Sequence, residues 1–372
     1  MNKSLTLKKI IKKIGIYQSL RNSWEKLQSR KYRDTLFLIE NKKDLPLPKD
    51  IIFEPTTRCN LNCCMCPQRE ERKQLKPDLP PSQTKDLLIK LKKELDIKSI
   101  SLIGGEVLVR SDILEIIKTL KDLHIKVFIS TNGTLIDERL AGEFNKFKNI
   151  SGLAFSLDGL RERHNQIRGK DYAFDGVKQA VALLKDDFSL TINAVLMDEN
   201  LNQLVDLARQ IKAWGVPNYS LQFEMFSTAA EVAASAKILG LENQEDIAVE
   251  IKENQDYSFS QEAISAIIEE LNKIPGLALM IQPRLYSRFP EFYLKGELRQ
   301  KVKLDCKYVN TLRISAQGKM IFCPFIKKSF GSLLTNDIAK VWNSAEVKDF
   351  RQKLYANNLT PVCKRCCRLG AK

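Results

Sequence analysis

The chain has 372 residues, 44% of them hydrophobic, with 16 glycines, 13 prolines and a formal net charge of +15. Those values fit one barrel-sized domain of roughly 200–250 residues plus a smaller unit, and they exclude a fibrous or low-complexity chain. No run of about 18 apolar residues is present, so no membrane span is expected, and residues 1–16 lack the apolar stretch of a secretory signal, which predicts a cytoplasmic location.

Residues 1–48 read as a basic amphipathic arm. Up to position 33 it carries ten basic residues against one acid, Glu25, so more than half of the net charge sits there. Leu7, Ile10, Ile11, Ile14, Tyr17, Leu20, Trp24 and Leu27 recur at helical spacing, with the lysines on other faces. Such a helix either docks on the protein's own surface with a solvated basic side or lies on a membrane surface or a protein partner. Leu45-Pro46-Leu47-Pro48 then closes the arm as a linker.

Residues 49–226 alternate strand and helix. Ile51–Thr56, Ser99–Gly104, Lys126–Thr131, Gly152–Leu157, Leu190–Leu196 and Tyr219–Phe226 are short apolar runs rich in β-branched and aromatic residues. Helices are predicted over Ser82–Leu95, Ser111–Leu123, Phe174–Lys185 and Asn200–Trp214, with Ser82 and Ser111 as N-caps. Six strands with intervening helices predict an α/β fold with a parallel sheet. Chemistry in such sheets belongs at the C-terminal strand ends. Residues 227–305 read mostly as helix and loop, including a helix over Gln261–Asn272, and suggest no role. Within residues 306–372, Thr311–Ser315 and Lys319–Phe322 predict a hairpin around Ala316-Gln317-Gly318. Asp337–Tyr355 predicts one helix that buries Val341, Trp342, Val347, Phe350 and Leu354.

The nine cysteines fall in tight groups, at 59, 63, 64 and 66, at 306 and 323, and at 363, 366 and 367. A secreted disulfide framework uses shorter chains and more regular spacing, so these groups read as metal sites. The chain has only two histidines, His124 and His164, which leaves little material for imidazole zinc sites or Ser–His–Asp triads. Cys59, Cys63 and Cys66 stand as CxxxCxxC directly after the first strand. Three thiolates on one loop converge on one inorganic centre, and thiolates favour iron–sulfur clusters or zinc. A structural zinc knuckle is the plain alternative. Three protein ligands on a four-iron cluster leave one iron open to a small molecule. Cys64 stands outside the motif and reads as a bystander.

The loop resembles the CxxxCxφC motif of the radical S-adenosylmethionine (SAM) superfamily, with Met65 at the usually aromatic position that lines the adenine. The resemblance runs over about residues 50–370 and implies a partial (β/α)6 barrel that binds a [4Fe-4S] cluster and SAM. It implies that SAM chelates the open iron and, on receiving one electron, yields a 5′-deoxyadenosyl radical that takes hydrogen from an unactivated carbon. Gly104-Gly105-Glu106 is similar to the family's GGE segment, which receives the SAM amino group; Val107 stands where relatives often carry Pro. Ser130-Thr131-Asn132-Gly133 and Ser156-Leu157-Asp158-Gly159 resemble the TNG and SLDG segments. That likeness implies that Asn132 and Ser156 hold the SAM ribose and carboxylate. Arg168, in His164-Asn165-Gln166-Ile167-Arg168-Gly169, is similar to an arginine that pairs with the SAM carboxylate, a match for the guanidinium fork. Asn193, inside the fifth strand, is placed to reach the ribose. His164 reads as structural.

Cys306 and Cys323, with the CxxC of Cys363 and Cys366, supply four thiolates, enough for one four-iron cluster or one zinc. The hairpin, Phe330-Gly331-Ser332-Leu333 and Val341-Trp342-Asn343 resemble the SPASM/twitch extension of radical SAM enzymes, a small C-terminal domain of hairpin plus helix. After Cys366 only Cys367 follows, so the resemblance implies a single auxiliary [4Fe-4S] cluster with Cys367 outside it. Relatives with this layout modify peptides or oxidise polyols and aminoglycosides. The expected activity is hydrogen abstraction followed by oxidation or bond formation on a peptide or carbohydrate-type small molecule. A low-potential electron donor of the flavodoxin or ferredoxin type is the expected partner. Glu224, at the end of the sixth strand, and Glu54, at the end of the first, are candidate proton acceptors. A recognition domain for a leader peptide is expected on another protein, because the arm is too short for a winged helix. The second reading, a basic RNA-binding protein with structural metal, rests on charge. That charge sits on the arm and no RNA-module signature is present, so nucleic acid is not the expected partner.

Overall fold

The computed structural model describes residues 32–69, 76–242, 246–252, 260–283, 285–286, 290–295, 303–356 and 358–371. The six predicted strands form as β1 (Asp50–Phe53), β2 (Ser99–Leu102), β3 (Lys126–Thr131), β4 (Ile150–Ser156), β5 (Leu190–Leu196) and β6 (Asn218–Phe223). They pair in sequence order and all in parallel. Helices α1 (residues 32–40), α2 (Pro81–Leu95), α3 (Ile113–Asp122), α4 (Glu138–Phe144), α5 (Arg161–Arg168), α6 (Ala173–Leu184) and α7 (Leu204–Ala213) precede or connect them. On α3 the buried Ile113, Ile116, Ile117 and Leu120 form one stripe at helical spacing, which faces the sheet.

The two predicted caps are displaced. Helix α2 starts one residue earlier, at Pro81, with Pro80 as its N-cap. A proline in the first turn has its φ preset and loses no helical hydrogen bond. Helix α3 starts after Asp112 rather than Ser111. Asp112 is held there by the buried Arg110, whose Nε and Nη2 donate to its carboxylate at 2.8 and 2.6 Å.

The two faces of the sheet differ in chemistry. Val127 and Ile129, Leu153 and Phe155, Ile192 and Ala194, and Tyr219 and Leu221 are fully buried against the helices. On the opposite face Ser130, Ser156, Asn193 and Gln222 are only half-buried. A parallel sheet covered on both sides is apolar on both. The polar, partly open face is therefore the one free to receive a ligand.

The segment 227–305, read as helix and loop, contributes more than that. After β7 (Phe226–Ser227), helix α8 (Ala229–Leu239), β8 (Glu250–Ile251) and helix α9 (Gln261–Lys273) comes β9 (Ala278–Gln282). Strand β9 pairs in parallel with β6 and is the seventh strand of the parallel series. Strand β10 (Leu304–Cys306) pairs antiparallel with β14 (Leu369–Ala371), which closes the C-terminal region on itself. The predicted hairpin forms as β11 (Thr311–Ile314) and β12 (Lys319–Ile321), followed by β13 (Ser329–Ser332). Strand β11 also pairs in parallel with β1, placing Arg313 opposite Ile52. The sheet thus has ten strands, in the order β13-β12-β11-β1-β2-β3-β4-β5-β6-β9.

The single helix expected over Asp337–Tyr355 is two, Ile338–Trp342 and Ala345–Ala356. The break falls at Asn343-Ser344. Asn343 bonds the Leu45 backbone through both ends of its amide, at 2.9 and 3.0 Å, and Ser344 Oγ accepts from Val347 N at 3.3 Å. The five predicted core residues of this region are all buried. Trp342 Nε1 donates to Pro46 O at 3.1 Å, so Leu45–Pro48 is pinned to the C-terminal region rather than left as a linker. The rest of the arm, residues 1–31, lies outside the described residues. Among the described residues no helix is long and apolar enough to cross a membrane.

Candidate active site

The loop after β1 carries Cys59 and Cys66 half-buried, Cys63 buried and Cys64 exposed. Its backbone is tied to the end of α5, with Asn62 N on Arg168 O at 3.3 Å and Cys64 N on Ile167 O at 3.0 Å. Leu61 N donates to Cys59 Sγ and Arg168 Nη1 donates to Cys63 Sγ, each at 3.5 Å. Met65 lies between Cys63 and Cys66 and is half-buried.

The glycines of Gly104-Gly105-Glu106 serve this loop. Gly105 N donates to Thr56 O at 3.0 Å, and Glu106 N donates to Arg58 O at 2.8 Å. A Cβ on Gly105 would stand 2.1 Å from Arg58 O and 2.6 Å from Thr57 O. Gly104 has φ +141°, and a Cβ there would stand 2.5 Å from Thr56 O. The close approach that glycine permits here is between two protein backbones, immediately before Cys59.

Glu106 is fully buried where the GGE and TNG segments meet. Its oxygens accept from Leu108 N at 3.0 Å, Thr131 Oγ1 at 2.7 Å and Asn132 N at 2.6 Å. Burial pushes its pKa up, against the pull of those donors. A carboxylate offers about four acceptor positions, so one remains for an ammonium group. The Asn132 amide is already partly engaged. Its Nδ2 donates to Asn60 Oδ1 at 2.9 Å, and its Oδ1 accepts from Thr134 N and Oγ1 at 3.0 and 2.7 Å. Asn60 lies inside the cysteine loop, so the side chain expected at the ribose also braces that loop.

Arg168 is gripped in the same way. Its Nε and Nη2 both reach Asp158 Oδ2 at 2.6 Å. Asp158 is fully buried; its Oδ1 accepts from Val195 N at 2.9 Å, and its own N–H donates to His164 Nδ1 at 3.1 Å. Burial and the neighbouring Arg168 hold the His164 imidazole neutral, in keeping with a structural role. Ser156 and Asn193 are register partners on the open face. Asp158, two residues past Ser156, is the site residue that strand periodicity does not single out, because it lies just beyond β4.

The second cysteine set converges. Cys306, Cys323, Cys363 and Cys366 line one pocket together with Met225, Tyr308 and Arg368, and Cys367 is not in its wall. Among the described residues no three His, Cys, Asp or Glu side chains stand close enough to hold a single metal ion. Burial pushes the Cys323 thiol up to about 12 and raises Cys306 as well. Iron binding would draw off those protons and give the thiolates a partner charge. The donor set, four sulfurs in one apolar pocket, fits a four-iron cluster.

The segment with no assigned role braces the CxxC turn of that pocket. Thr228 and Glu231 form a capping box at the start of α8. Glu231 also receives Arg365 Nη1 at 2.7 Å, and Arg365 Nε donates to Tyr293 O at 3.1 Å. Ser235 Oγ accepts from Val362 N at 3.1 Å, and Tyr286 Oη donates to Lys364 O at 2.5 Å. These bonds fix both sides of the CxxC turn. Glu231→Ala would remove the carboxylate that accepts from the buried Arg365 Nη1 and with it one brace of the CxxC turn, and the reconstituted chain is expected to hold about four fewer iron atoms. Iron analysis against the unchanged chain checks this.

The two proton-acceptor candidates differ. Glu54 is ion-paired with the buried Arg313 and accepts from Gln68 Nε2 at 3.1 Å, so both its oxygens are engaged in structure. Glu224 is buried and paired with Lys252, and burial raises its pKa while Lys252 pulls it down. Met225, the next residue, lines the four-cysteine pocket, and the Glu224 charge acts on Cys64 in the first cysteine loop. Glu224 therefore adjoins the wall of the four-cysteine pocket through its neighbour Met225.

A parallel half-barrel with a three-cysteine loop on β1 and a four-cysteine pocket beside it defines a SAM-dependent iron–sulfur enzyme. Residues 53–211 match the model of the radical SAM superfamily, and residues 306–367 match the SPASM iron–sulfur cluster-binding domain, together more than half of the chain. The chain belongs to the radical SAM superfamily and carries a C-terminal SPASM domain. Its cofactors are SAM, the [4Fe-4S] cluster that binds it, and auxiliary iron–sulfur. The chain is 24% identical to the AdoMet-dependent heme synthase of Methanosarcina barkeri over 86% of this chain and 88% of that one. It is 26% identical to the GTP 3′,8-cyclase of Aquifex aeolicus over 86% and 94%. Among solved structures, SuiB of Streptococcus suis bound to its precursor peptide SuiA shares the fold, with TM-score 0.63 and 18% identity over 92% of this chain and 76% of that one. The RNA-binding reading draws no support from these likenesses.

Proposed function

We propose that this enzyme abstracts a hydrogen atom from a peptide substrate and completes a two-electron oxidation or bond formation. The observation that carries it is Glu224, buried, paired with Lys252 and next in the chain to Met225 in the wall of the four-cysteine pocket. When bound, SAM on the first cluster supplies a 5′-deoxyadenosyl radical for abstraction, and the auxiliary cluster supplies a one-electron acceptor. Loss of a hydrogen atom leaves a substrate radical, and loss of one more electron and a proton finishes the oxidation. A Glu224 oxygen takes that proton. Lys252 keeps the carboxylate charged before the transfer, and burial makes it a stronger base than an exposed glutamate.

Glu106 receives the SAM ammonium at its remaining acceptor position. Met65 lines the adenine, while Ser156 and Asn193, half-buried side by side, meet the ribose and carboxylate. Arg168 sets the charge around Cys63. Cys59, Cys63 and Cys66 hold the first cluster; Cys306, Cys323, Cys363 and Cys366 hold the second. A flavodoxin or ferredoxin delivers the electron in the cytoplasm. The peptide reading is favoured by the likeness to SuiB, solved with its precursor peptide. A carbohydrate-type small molecule is the competing substrate class. Anaerobic turnover with dithionite and candidate peptides should yield 5′-deoxyadenosine and a product lighter by two hydrogens or newly cross-linked. A product that has gained methyl or sulfur overturns the proposal. Glu224→Gln should lower the product yield at least tenfold while 5′-deoxyadenosine still forms.

A further inference from the structure

Among the described residues, Arg313 joins the two cysteine sites through a chain of side-chain contacts. It sits on β11, beside β1, and only 3% of it is exposed. One side of its guanidinium is ion-paired with Glu54, which in turn holds Gln68, two residues beyond Cys66. Another part lies 5.7 Å from the ring centre of Tyr308, a wall of the four-cysteine pocket. Arg368, also in that wall, approaches the same ring at 5.8 Å. Nη1 of Arg313 is buried and has no hydrogen-bond acceptor among the described residues. An orphaned buried donor of a charged group is costly unless something accepts from it.

We propose that Arg313 is a positioning residue that ties the first cysteine loop to the auxiliary pocket and raises the auxiliary cluster's reduction potential. The inference rests on the assignment of that cluster to Cys306, Cys323, Cys363 and Cys366. Four thiolates on a four-iron core carry net negative charge, and reduction adds another. Cluster potentials follow net charge and hydrogen bonds at the sulfurs. A buried cation with a spare donor therefore favours the reduced form. Glu54 opposes it, because its carboxylate neutralises the same cation. The pair sets the potential as a balance, and its two members act with opposite sign.

That sign difference is the test. The full chain is reconstituted without oxygen and titrated with reductant under electron paramagnetic resonance. The auxiliary signal is the one that added SAM leaves unchanged. Arg313→Gln should move its midpoint to lower potential, and Glu54→Gln should move it to higher potential. A merely structural pair would shift both variants the same way or only lower cluster occupancy. Unchanged midpoints, or shifts in one common direction, overturn the inference. If Arg313→Gln binds no auxiliary iron, Glu54→Gln decides alone: a rise supports the inference and no rise overturns it. An unchanged chain that shows no second signal overturns the auxiliary-site assignment itself, and this inference with it.

Discussion

Replacing Gly105 by alanine is expected to abolish SAM cleavage and to remove the iron of the first site while sparing that of the second. The new Cβ would meet Arg58 O at 2.1 Å and Thr57 O at 2.6 Å. Both are backbone atoms, so no side chain can swing away to relieve the clash. The strand end and the loop must separate, and the hydrogen bonds from Gly105 and Glu106 to that loop break together. Cys59 follows directly and loses its placement. Glu106 shifts with Gly105, so the group facing the SAM ammonium moves as well. Iron content should fall by about four atoms per chain, and 5′-deoxyadenosine formation with dithionite should drop to background. The auxiliary signal should persist, because Cys306, Cys323, Cys363 and Cys366 do not touch this turn. A Gly105→Ala enzyme with full iron and normal cleavage would show that the turn tolerates a wider separation than the packing allows.

Arg168→Gln should be the most destabilising single change near the barrel mouth. Asp158 is fully buried, and because His164 is neutral, Arg168 is its only cationic ion-pair partner among the described residues. Breaking a buried pair by removing one member costs about 3–5 kcal/mol, a large part of a typical stability of about 5–15 kcal/mol. The double variant Asp158→Asn, Arg168→Gln should recover most of that loss. It removes both charges, and an asparagine oxygen can still accept from Val195 N. Anaerobic urea unfolding of the two variants, compared at one protein concentration, measures the difference. Equal stability of the single and double variants would mean that the isolated Asp158 charge is relieved by water or by protonation.

Much of the architecture was legible in the sequence because its signals are local. Short β-branched runs separated by amphipathic stretches name a parallel sheet, and three cysteines within eight residues name a cluster loop. The polar residues quoted from motifs do gather at the C-terminal strand ends. What stayed hidden depends on distant partners. Ala278–Gln282 is too short and too mixed to stand out, and it becomes a strand only because β6 offers an edge. Asn132 and Arg168 looked like ligand-facing groups, and part of their bonding capacity goes to Asn60 and Asp158, which lie far off in sequence or outside the periodic pattern. Glu54 looked like a base at a strand end. Its fate was set by Arg313, 259 positions away.

The placement of β11 against β1 also orders the assembly of the protein in time. Synthesis runs from the N-terminus, so β1 waits with a bare outer edge until residues 311–314 emerge. For that interval Glu54 has no counter-ion, and the loop that follows it is anchored on one side only. An unpaired strand edge is an invitation to wrong partners. The first strand of the nascent barrel is thus the last to gain its outer neighbour.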